Sequence, residues 1–189
     1  MVRNYAEIAF TDAVKEEQEK FASRRTYERM EKSDRGTELS FAEADFIANR
    51  DSFYLSTLGE NGYPYVQFRG GPPGFLKVLD SSTLGYADFR GNLQYITVGN
   101  LRTSSKAAII LMDYANRRRL KIYADAEILD AADVPELIER VEVPEYSAKV
   151  ERAILLHVQA FDWNCPQHIT PRYTLDEIEK LSLMPKAAI

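Results

Sequence analysis

The stretch "SFYLSTLGENGYPYVQFRG", residues 52–70, decides how the central part of this chain folds. Two runs rich in aromatic and β-branched residues flank Glu60, Asn61 and Gly62. An Asn-Gly pair between such runs is a strong hairpin signal, because both residues tolerate the positive φ that a tight turn needs. The stretch therefore predicts two antiparallel strands joined by a short turn.

Further strand-like runs follow, and most are joined by short polar turns. They are "FLKVLD" (75–80), "TLGYAD" (83–88), "KAAIILMDY" (106–114), "RLKIYADAEILD" (119–130) and "KVERAILLHVQAFDWN" (149–164). Six or seven strands with hairpin connections predict a mainly β, α+β domain built on an antiparallel, Greek-key-like barrel with peripheral helices. The basic run "NRRRLK", residues 116–121, is predicted to form a solvated hairpin tip.

Helices are predicted on both sides of the strand region. Residues 11–32 are charged and lack Gly and Pro, which favours a helical arm with Val14 and Phe21 among its few apolar contacts. Capping boxes are predicted at Ser40 with Glu43 and at Thr174 with Glu177. Short helices are predicted at residues 133–141 and after "DFRGN". Residues 1–189 then form a single domain with an N-terminal arm (about 11–50) and a C-terminal turn and helix (about 162–183).

Composition excludes several classes of protein. Hydrophobic residues make up 45% of the 189 residues, yet none of the apolar runs reaches the ~20 residues of a membrane helix. The first residues turn acidic and polar too early for a signal peptide. A net charge of −5 argues against a general nucleic-acid binder. The single Cys cannot form an internal disulfide and fits a reducing compartment, so a cytoplasmic protein is expected.

Two Arg-Gly loops carry the main ligand signal. Arg69 ends a predicted strand and precedes the glycine- and proline-rich residues 70–74, which would let the backbone approach a ligand. Arg90 also follows a strand, and Gly91 and Asn92 are predicted to open a helical turn with free backbone N–H groups for an anion. A surface arginine beside a tight loop explains Arg69 equally well alone, whereas two such loops indicate a shared anionic ligand.

The stretch "FDWNCPQHI", residues 161–169, gathers the only Trp, the only Cys and one of the two His. One Cys and two His cannot complete a zinc site without other ligands, so no metal is expected. Three alternatives stay open: a Cys165 nucleophile with His168 as its base, a well-packed turn, or a lid over a cofactor. The other histidine, His157, lies in an apolar strand and is predicted to be a satisfied core residue.

The chain resembles the flavin-binding split barrel of the pyridoxamine 5′-phosphate oxidase-like proteins, in particular a subgroup described as predicted flavin-nucleotide-binding proteins. The residues that carry the resemblance are "FLKVLD", "DFRGN", Asn100-Leu101, "RRLKIYADAEI", "WNCPQHI" with the following "PRY", and the N-terminal "FTDAVKEEQEKFASRRTY". The resemblance implies a homodimer with FMN in grooves at the subunit interface. It also implies that the flavin carries out hydride or electron transfer.

The resemblance also implies site residues. Those expected to bind the cofactor are Gln67, Arg69, Lys77, Arg90, Gly91, Asn92, Gln94, Thr97 and Asn100. Those expected near the flavin ring, as a substrate pocket, are Trp163, Cys165, Gln167, His168 and Arg172, with His168 and Cys165 as candidate catalytic residues.

The chain departs from the true oxidase at two motifs. No Ser-Arg-Lys run follows "DFRGN", and the C-terminal Arg-x-His substrate motif is missing. Oxidation of pyridoxamine phosphate is therefore not expected, while flavin binding is. The hypotheses are an FMN-dependent oxidoreductase acting on a small molecule, a non-catalytic module that sequesters flavin, and a barrel that has lost its ligand.

Overall fold

The computed structural model describes residues 4–32, 38–144, 146–163 and 166–183. The strands are β1 (Ser52–Leu58), β2 (Pro64–Gly70), β3 (Lys77–Asp80), β4 (Thr83–Phe89), β5 (Lys106–Asp113), β6 (Arg118–Asp130) and β7 (Val150–Trp163). The helices are α1 (Tyr5–Ala9), α2 (Asp12–Lys20), α3 (Arg24–Lys32), α4 (Phe41–Ala48), α5 (Ile96–Thr103), α6 (Pro135–Val141) and α7 (Leu175–Leu183). No helix among the described residues is long and apolar enough to cross a membrane.

The seven strands form one antiparallel sheet in the order β2-β1-β5-β6-β7-β4-β3. The predicted hairpins β1–β2, β3–β4 and β5–β6 are all present, and Gly62 takes φ 83° in the first turn as the Asn-Gly pair predicted. Alternate residues of each strand face a common core, as period-two patterning requires. The fold is the expected α+β split barrel.

The sheet curls so that its two ends approach each other across the core. Phe53 of β1 stacks on Phe75 and meets the ring of Tyr86, on β4, edge to face at 5.4 Å. These contacts join strands that are not hydrogen-bonded neighbours. The remaining gap between edge strand β2 and strand β4 is called the split of the barrel below.

Strand β4 is exposed to the split along only part of its length. β3 pairs with Thr83, Leu84 and Gly85, and within the described chain β4 then continues to Phe89 without a strand partner on that side. The other side of β4 pairs with β7 from Thr83 to Phe89. The second half of β4 is therefore anchored by β7 and open toward β2.

The capping boxes predicted at the starts of α4 and α7 are confirmed. Glu43 accepts the backbone N–H of Ser40 at 2.9 Å, and Thr174 and Glu177 exchange bonds of 2.7 and 3.2 Å. The arm differs from the prediction, because Ala22 takes φ 56° and breaks residues 11–32 into two helices. Val14 and Phe21 are exposed rather than packed, which corrects the sequence prediction.

The arm is attached through other residues. Tyr5 of α1 stacks on Tyr123 of β6 with ring centroids 5.2 Å apart, and Lys121 lies over the same ring. Arg24 pairs with Glu31 at 2.7 Å and ties the two ends of α3 together. The helix α1, which the charge pattern did not predict, therefore provides the aromatic contact with the sheet.

Candidate ligand cleft in the split of the barrel

A cleft of about 240 Å³ occupies the split between β2 and β4. Inward-facing residues of β2 form one wall, and the end of β4 and the loop before α5 form the other. Its lining residues are Tyr65, Gln67, Arg69, Asp88, Phe89, Gly91, Asn92, Leu93, Gln94, Tyr95, Ile96, Thr97, Val98 and Arg152. The walls thus combine polar side chains with the backbone at the start of a helix.

The floor of the cleft is an ion-pair cluster centred on Asp88, whose side chain is only 4% exposed. Its Oδ1 lies 3.2 Å from Nη1 of Arg69, and its Oδ2 accepts from Nε of Arg152 at 3.0 Å. Arg152 also donates through Nη2 to Glu151 at 2.7 Å. Burial opposes the charge of Arg152, but the hydrogen bonds and charges of Asp88 and Glu151 outweigh it and raise its pKa.

Two buried polar atoms lie next to this floor, and although their side chains interact with each other, neither atom makes a hydrogen bond of good geometry within the described parts of the chain. They are Nε of Arg69 and the hydroxyl of Tyr86, which lies beside Arg69 on the same face of β4 as Asp88. Burial raises the pKa of Tyr86 despite the nearby positive charge of Arg69, so the hydroxyl stays a neutral donor. These two atoms are too deeply buried to meet a ligand directly, so Arg69 reaches the cleft through the exposed part of its side chain.

The loop before α5 has an uncommon backbone. Leu93 and Tyr95 take φ values of 65° and 52°, which non-glycine residues rarely adopt. Asn92 accepts the N–H of Gln94 at 3.2 Å, and Tyr95 donates to Glu151 at 3.3 Å while its ring lies under the guanidinium of Arg152. Strain of this kind is retained where surrounding contacts fix a functional conformation.

Six of the nine predicted cofactor residues line this one cleft, namely Gln67, Arg69, Gly91, Asn92, Gln94 and Thr97. A Cβ on Gly91 would meet no atom within 4 Å, so the wall there is open. The predicted helix start at Gly91 and Asn92 is wrong, because α5 begins at Ile96. The free helical N–H groups therefore belong to the residues after Tyr95.

The other three predicted cofactor residues lie elsewhere. Asn100 donates through Nδ2 to the buried Thr57 at 3.0 Å, and Lys77 begins β3 opposite Gly85. The side chain of Arg90 is half exposed and lies 3.9 Å from Glu151, while its backbone N–H donates to Lys149. None of the three is among the residues that line the cleft.

The glycines of the loop after Arg69 also have a different role from the predicted one. A Cβ on Gly71 would approach Phe75 to 2.7 Å, and one on Gly70 would approach Phe68 to 2.9 Å. Gly74 takes φ 78° and lies against Ala48 of α4. These residues are small because the loop packs against its own neighbours, and none lines the cleft.

The predicted substrate-pocket residues lie at the far end of β7 from Arg152. Trp163 donates to Glu43 at 2.7 Å and packs edge to face on Phe46, and Arg118 covers its ring. Gln167 and His168 are exposed, and Arg172 lies over the ring of Tyr114. Asn164 and Cys165 lie outside the described residues, so the predicted roles of Cys165 stay predictions.

Two further sequence interpretations are corrected. His157 is not a core residue, since its half-exposed ring pairs with Glu127 on the outer face at 3.0 Å. The basic hairpin is not only solvated, because Arg118 stacks on both Phe46 and Trp163. No cluster of three potential metal-ligating side chains occurs among residues 4–32, 38–144, 146–163 and 166–183.

Sequence reasoning missed Asp88 and Arg152. Both occupy inward-facing positions of alternating strands, beside the inward-facing Tyr86 and Ile154, and a charged residue at such a position must be paired. That alternation was a readable signal in "TLGYADF" and "KVERAILL". It could not reveal that the two residues, 64 apart in sequence, contact each other.

Comparisons with known proteins show which fold the chain shares. The chain is similar in structure to a putative pyridoxamine 5′-phosphate oxidase of Lactobacillus delbrueckii, with 20% identity, a TM-score of 0.53, and coverage of 68% of this chain and 96% of that one. It is also similar to an FMN-binding protein of Syntrophomonas wolfei, with 15% identity, a TM-score of 0.51, and coverage of 82% of this chain and 96% of that one. A third similar structure is the HupZ protein of Group A Streptococcus, with 14% identity, a TM-score of 0.52, and coverage of 67% of this chain and 99% of that one.

A search of curated proteins returned no match. The likeness to the solved structures, all below 25% identity, establishes the fold. The sequence profile of the pyridoxamine 5′-phosphate oxidase family matches residues 40–162, which is more than half of the chain and includes every strand but the last residue of β7. The chain belongs to the pyridoxamine 5′-phosphate oxidase family.

Proposed function

We propose that this protein binds FMN, with the phosphate and ribityl chain in the cleft between β2 and β4. The observation that carries the proposal is the pair of arginines, Arg69 and Arg152, held at the floor of a cleft whose other donors are amides and helical N–H groups. Guanidinium groups and a helix N-terminus are the donors that phosphate monoesters prefer. The FMN-binding protein of S. wolfei, which shares this fold, supports the assignment.

The residues present fit such a group. Arg69 and Arg152 both line the cleft, and Gly91 leaves its wall open. The cleft is smaller than the roughly 300–1,000 Å³ of sites that enclose a whole ligand. The isoalloxazine ring would therefore extend out of the cleft, and a second copy of the chain would be needed to cover it.

A homodimer is part of the proposal. The outer face of β1, β2 and β5 carries exposed apolar residues, among them Tyr54, Val66 and Phe68. An apolar groove of about 280 Å³ runs beside them between Tyr5, Ala108, Ile110 and Tyr123. A continuous apolar face of this kind marks a protein interface. Trp163, His168 and Arg172, which lie at the far end of β7 from the cleft between β2 and β4, would reach a flavin only across a subunit interface.

We further propose that the bound flavin supports oxidoreductase chemistry on a small molecule, since a flavin supplies hydride and electron transfer when bound. The chain's own residues would hold the phosphate, orient the ring and exclude water at the dimer seam. The alternative is a non-catalytic module that only binds flavin. Reduction of the bound flavin by NADH or NADPH would favour the enzyme, and its failure with a broad set of donors would favour the binding module.

The visible spectrum of the purified protein tests flavin binding. Bound flavin gives absorption maxima near ~450 and ~370 nm. Protein purified without colour should be titrated with FMN, and a preparation that then takes up no FMN would contradict the proposal. The same titration with a deazaflavin distinguishes FMN from a related cofactor.

Light scattering tests the dimer. Val66→Glu should give a monomer, because it places a carboxylate in the apolar face of β2. Leu175→Glu is the matched control, since Leu175 is equally apolar and exposed but lies on α7. A wild-type monomer at micromolar concentration would contradict the interface.

A further inference from the structure

We propose that Asp88 is a positioning residue that makes the cleft selective for a phosphate monoester, by holding Arg69 and Arg152 at one point. This inference rests on the proposed function and assigns the selectivity to a residue that carries the same charge as the ligand. The two arginines come from β2 and β7, which are not neighbours in the sheet. The carboxylate on β4 is the group that brings them together.

The geometry assigns one oxygen of Asp88 to each arginine. Oδ1 faces Nη1 of Arg69 at 3.2 Å, and Oδ2 faces Nε of Arg152 at 3.0 Å. Neither oxygen serves both cations, so each contact fixes one guanidinium independently. Asp88 contacts Arg69 through Nη1, and Arg69, whose side chain is 22% exposed, still lines the cleft together with Arg152.

Burial makes this arrangement rigid. The side chains of Asp88, Arg152 and Arg69 are 4%, 14% and 22% exposed, so water does little to screen their charges. Tyr95 covers Arg152 from the loop side, and Glu151 accepts its Nη2. Long arginine side chains lose much rotamer entropy when they order, and this order is in place before a ligand arrives.

The Arg69–Asp88 contact also spans the split of the barrel. Arg69 lies on the edge strand β2, and the part of β4 that holds Asp88 has no strand partner on the β2 side within the described residues. The width of the cleft is therefore set by a side-chain ion pair. A phosphate at the floor would contact both walls at once.

A role of Asp88 as a nearby negative charge and a role in positioning the arginines predict opposite effects of Asp88→Asn on FMN affinity. If Asp88 is merely a neighbouring negative charge, its removal should tighten binding of an anion. If it positions the arginines, FMN affinity should fall by about 10-fold, because one charge-assisted contact is lost and one guanidinium is released. Riboflavin, which has the same ring and ribityl chain without the phosphate, should bind equally well to both proteins.

The experiment measures dissociation constants of FMN and riboflavin for wild type and Asp88→Asn by flavin fluorescence. Asp113→Asn is the matched control, because Asp113 is a buried aspartate paired with an arginine, Arg50, outside the cleft. Asp88→Glu is the second variant: it keeps the charge but displaces both contacts, and it should also weaken FMN alone. Combining Asp88→Asn with Arg69→Gln should cost less than the sum of the two single losses.

Unchanged or tighter FMN binding by Asp88→Asn would overturn the inference. Equal weakening of both flavins, or the same loss in Asp113→Asn, would show a general structural role and would also overturn it. If wild type binds no flavin, the proposed function fails, and stabilisation by inorganic phosphate decides the inference separately. A rise in melting temperature with phosphate that is larger in wild type than in Asp88→Asn supports it, and equal rises overturn it.

Discussion

At each end of β7 a side chain of the strand contacts a buried carboxylate, but the two contacts lie in different surroundings. At one end, Arg152 meets a buried carboxylate, Asp88, in an open cleft with unpaired donors nearby. At the other end, roughly 35 Å along the strand, Trp163 meets a buried carboxylate, Glu43, in a closed cluster with Phe46. The difference lies in accessibility, since Arg69 and Arg152 line an open cleft and the cluster around Trp163 is closed.

The same comparison shows that the scarcity of a residue type is a weak guide to a ligand site. Trp, Cys and His near residue 163 drew attention because they are rare, yet Trp163 contacts a helix cap and an aromatic core residue. Asp88 and Arg152 are common residue types, yet both line the proposed ligand cleft. Rarity indicates a demanding environment, whereas a site is recognised by partly satisfied polar groups in a cleft.

The largest expected effect comes from Trp163→Ala. It removes the ring between Phe46 and Arg118 and leaves Oε1 of Glu43 without its donor, while Ser40 still donates to Oε2, so the free energy of unfolding should fall by about 3 kcal/mol. Denaturant unfolding measures this change. A loss of FMN affinity without a loss of stability would instead place Trp163 in the flavin pocket of a partner copy.

Arg152→Gln, at the cleft end of β7, should weaken FMN binding rather than stability. Losing the charged contact with the phosphate should raise the dissociation constant of FMN about 10- to 100-fold, corresponding to about 1.5–3 kcal/mol. Riboflavin binding serves as the internal control, since that ligand lacks the phosphate. An unchanged FMN dissociation constant would move the phosphate away from this cleft.

Glu43→Gln should change the stability of the protein in a manner that depends on pH. Burial disfavours the ionised form of Glu43, but hydrogen bonds from Ser40 and Trp163 outweigh it and lower its pKa below the ordinary 4.5. A lowered pKa in the folded state stabilises the protein above about pH 4.5 and stops doing so as the pH falls through the folded value. The stability difference between wild type and variant, about 1 kcal/mol at pH 7, should therefore vanish in acid.

Urea unfolding of both proteins between pH 7 and pH 3 measures this difference. The subtraction removes the effect of every other carboxylate. A difference that stays constant with pH would mean that Glu43 contributes by packing alone, and the closed end of β7 would then not depend on charge.

The smallest effect is expected from Arg90→Ala. Arg90 was expected to bind the cofactor, but its side chain is half exposed and lies 3.9 Å from Glu151. Exposed ion pairs contribute at most about 1 kcal/mol, so FMN affinity should change by less than about 5-fold. FMN titrations of Arg90→Ala and Arg152→Gln rank the two losses of affinity. An equal or larger loss in Arg90→Ala would support the prediction that Arg90 binds the cofactor.

The sequence by itself determined the elements and much of their pairing. The Asn-Gly turn, the serine turn and the basic turn joined strands that are adjacent along the chain, and the capping boxes fixed the starts of α4 and α7. These are local signals, in which the residues that interact are a few positions apart. The positive φ at Ala22, which breaks the arm, had no comparable signal.

Only the tertiary structure decided where the ligand cleft lies and which charges it presents. Arg69, Asp88 and Arg152 belong to three strands, and their contact depends on how far the sheet curls and on which half of β4 lacks a strand partner in the described chain. Asn100 and Lys77 matched the expected pattern but were directed away from the cleft by the same curl. Local patterning fixes which face of a strand a side chain occupies, but it cannot fix the side chain opposite, because that distance is set by packing of the whole barrel.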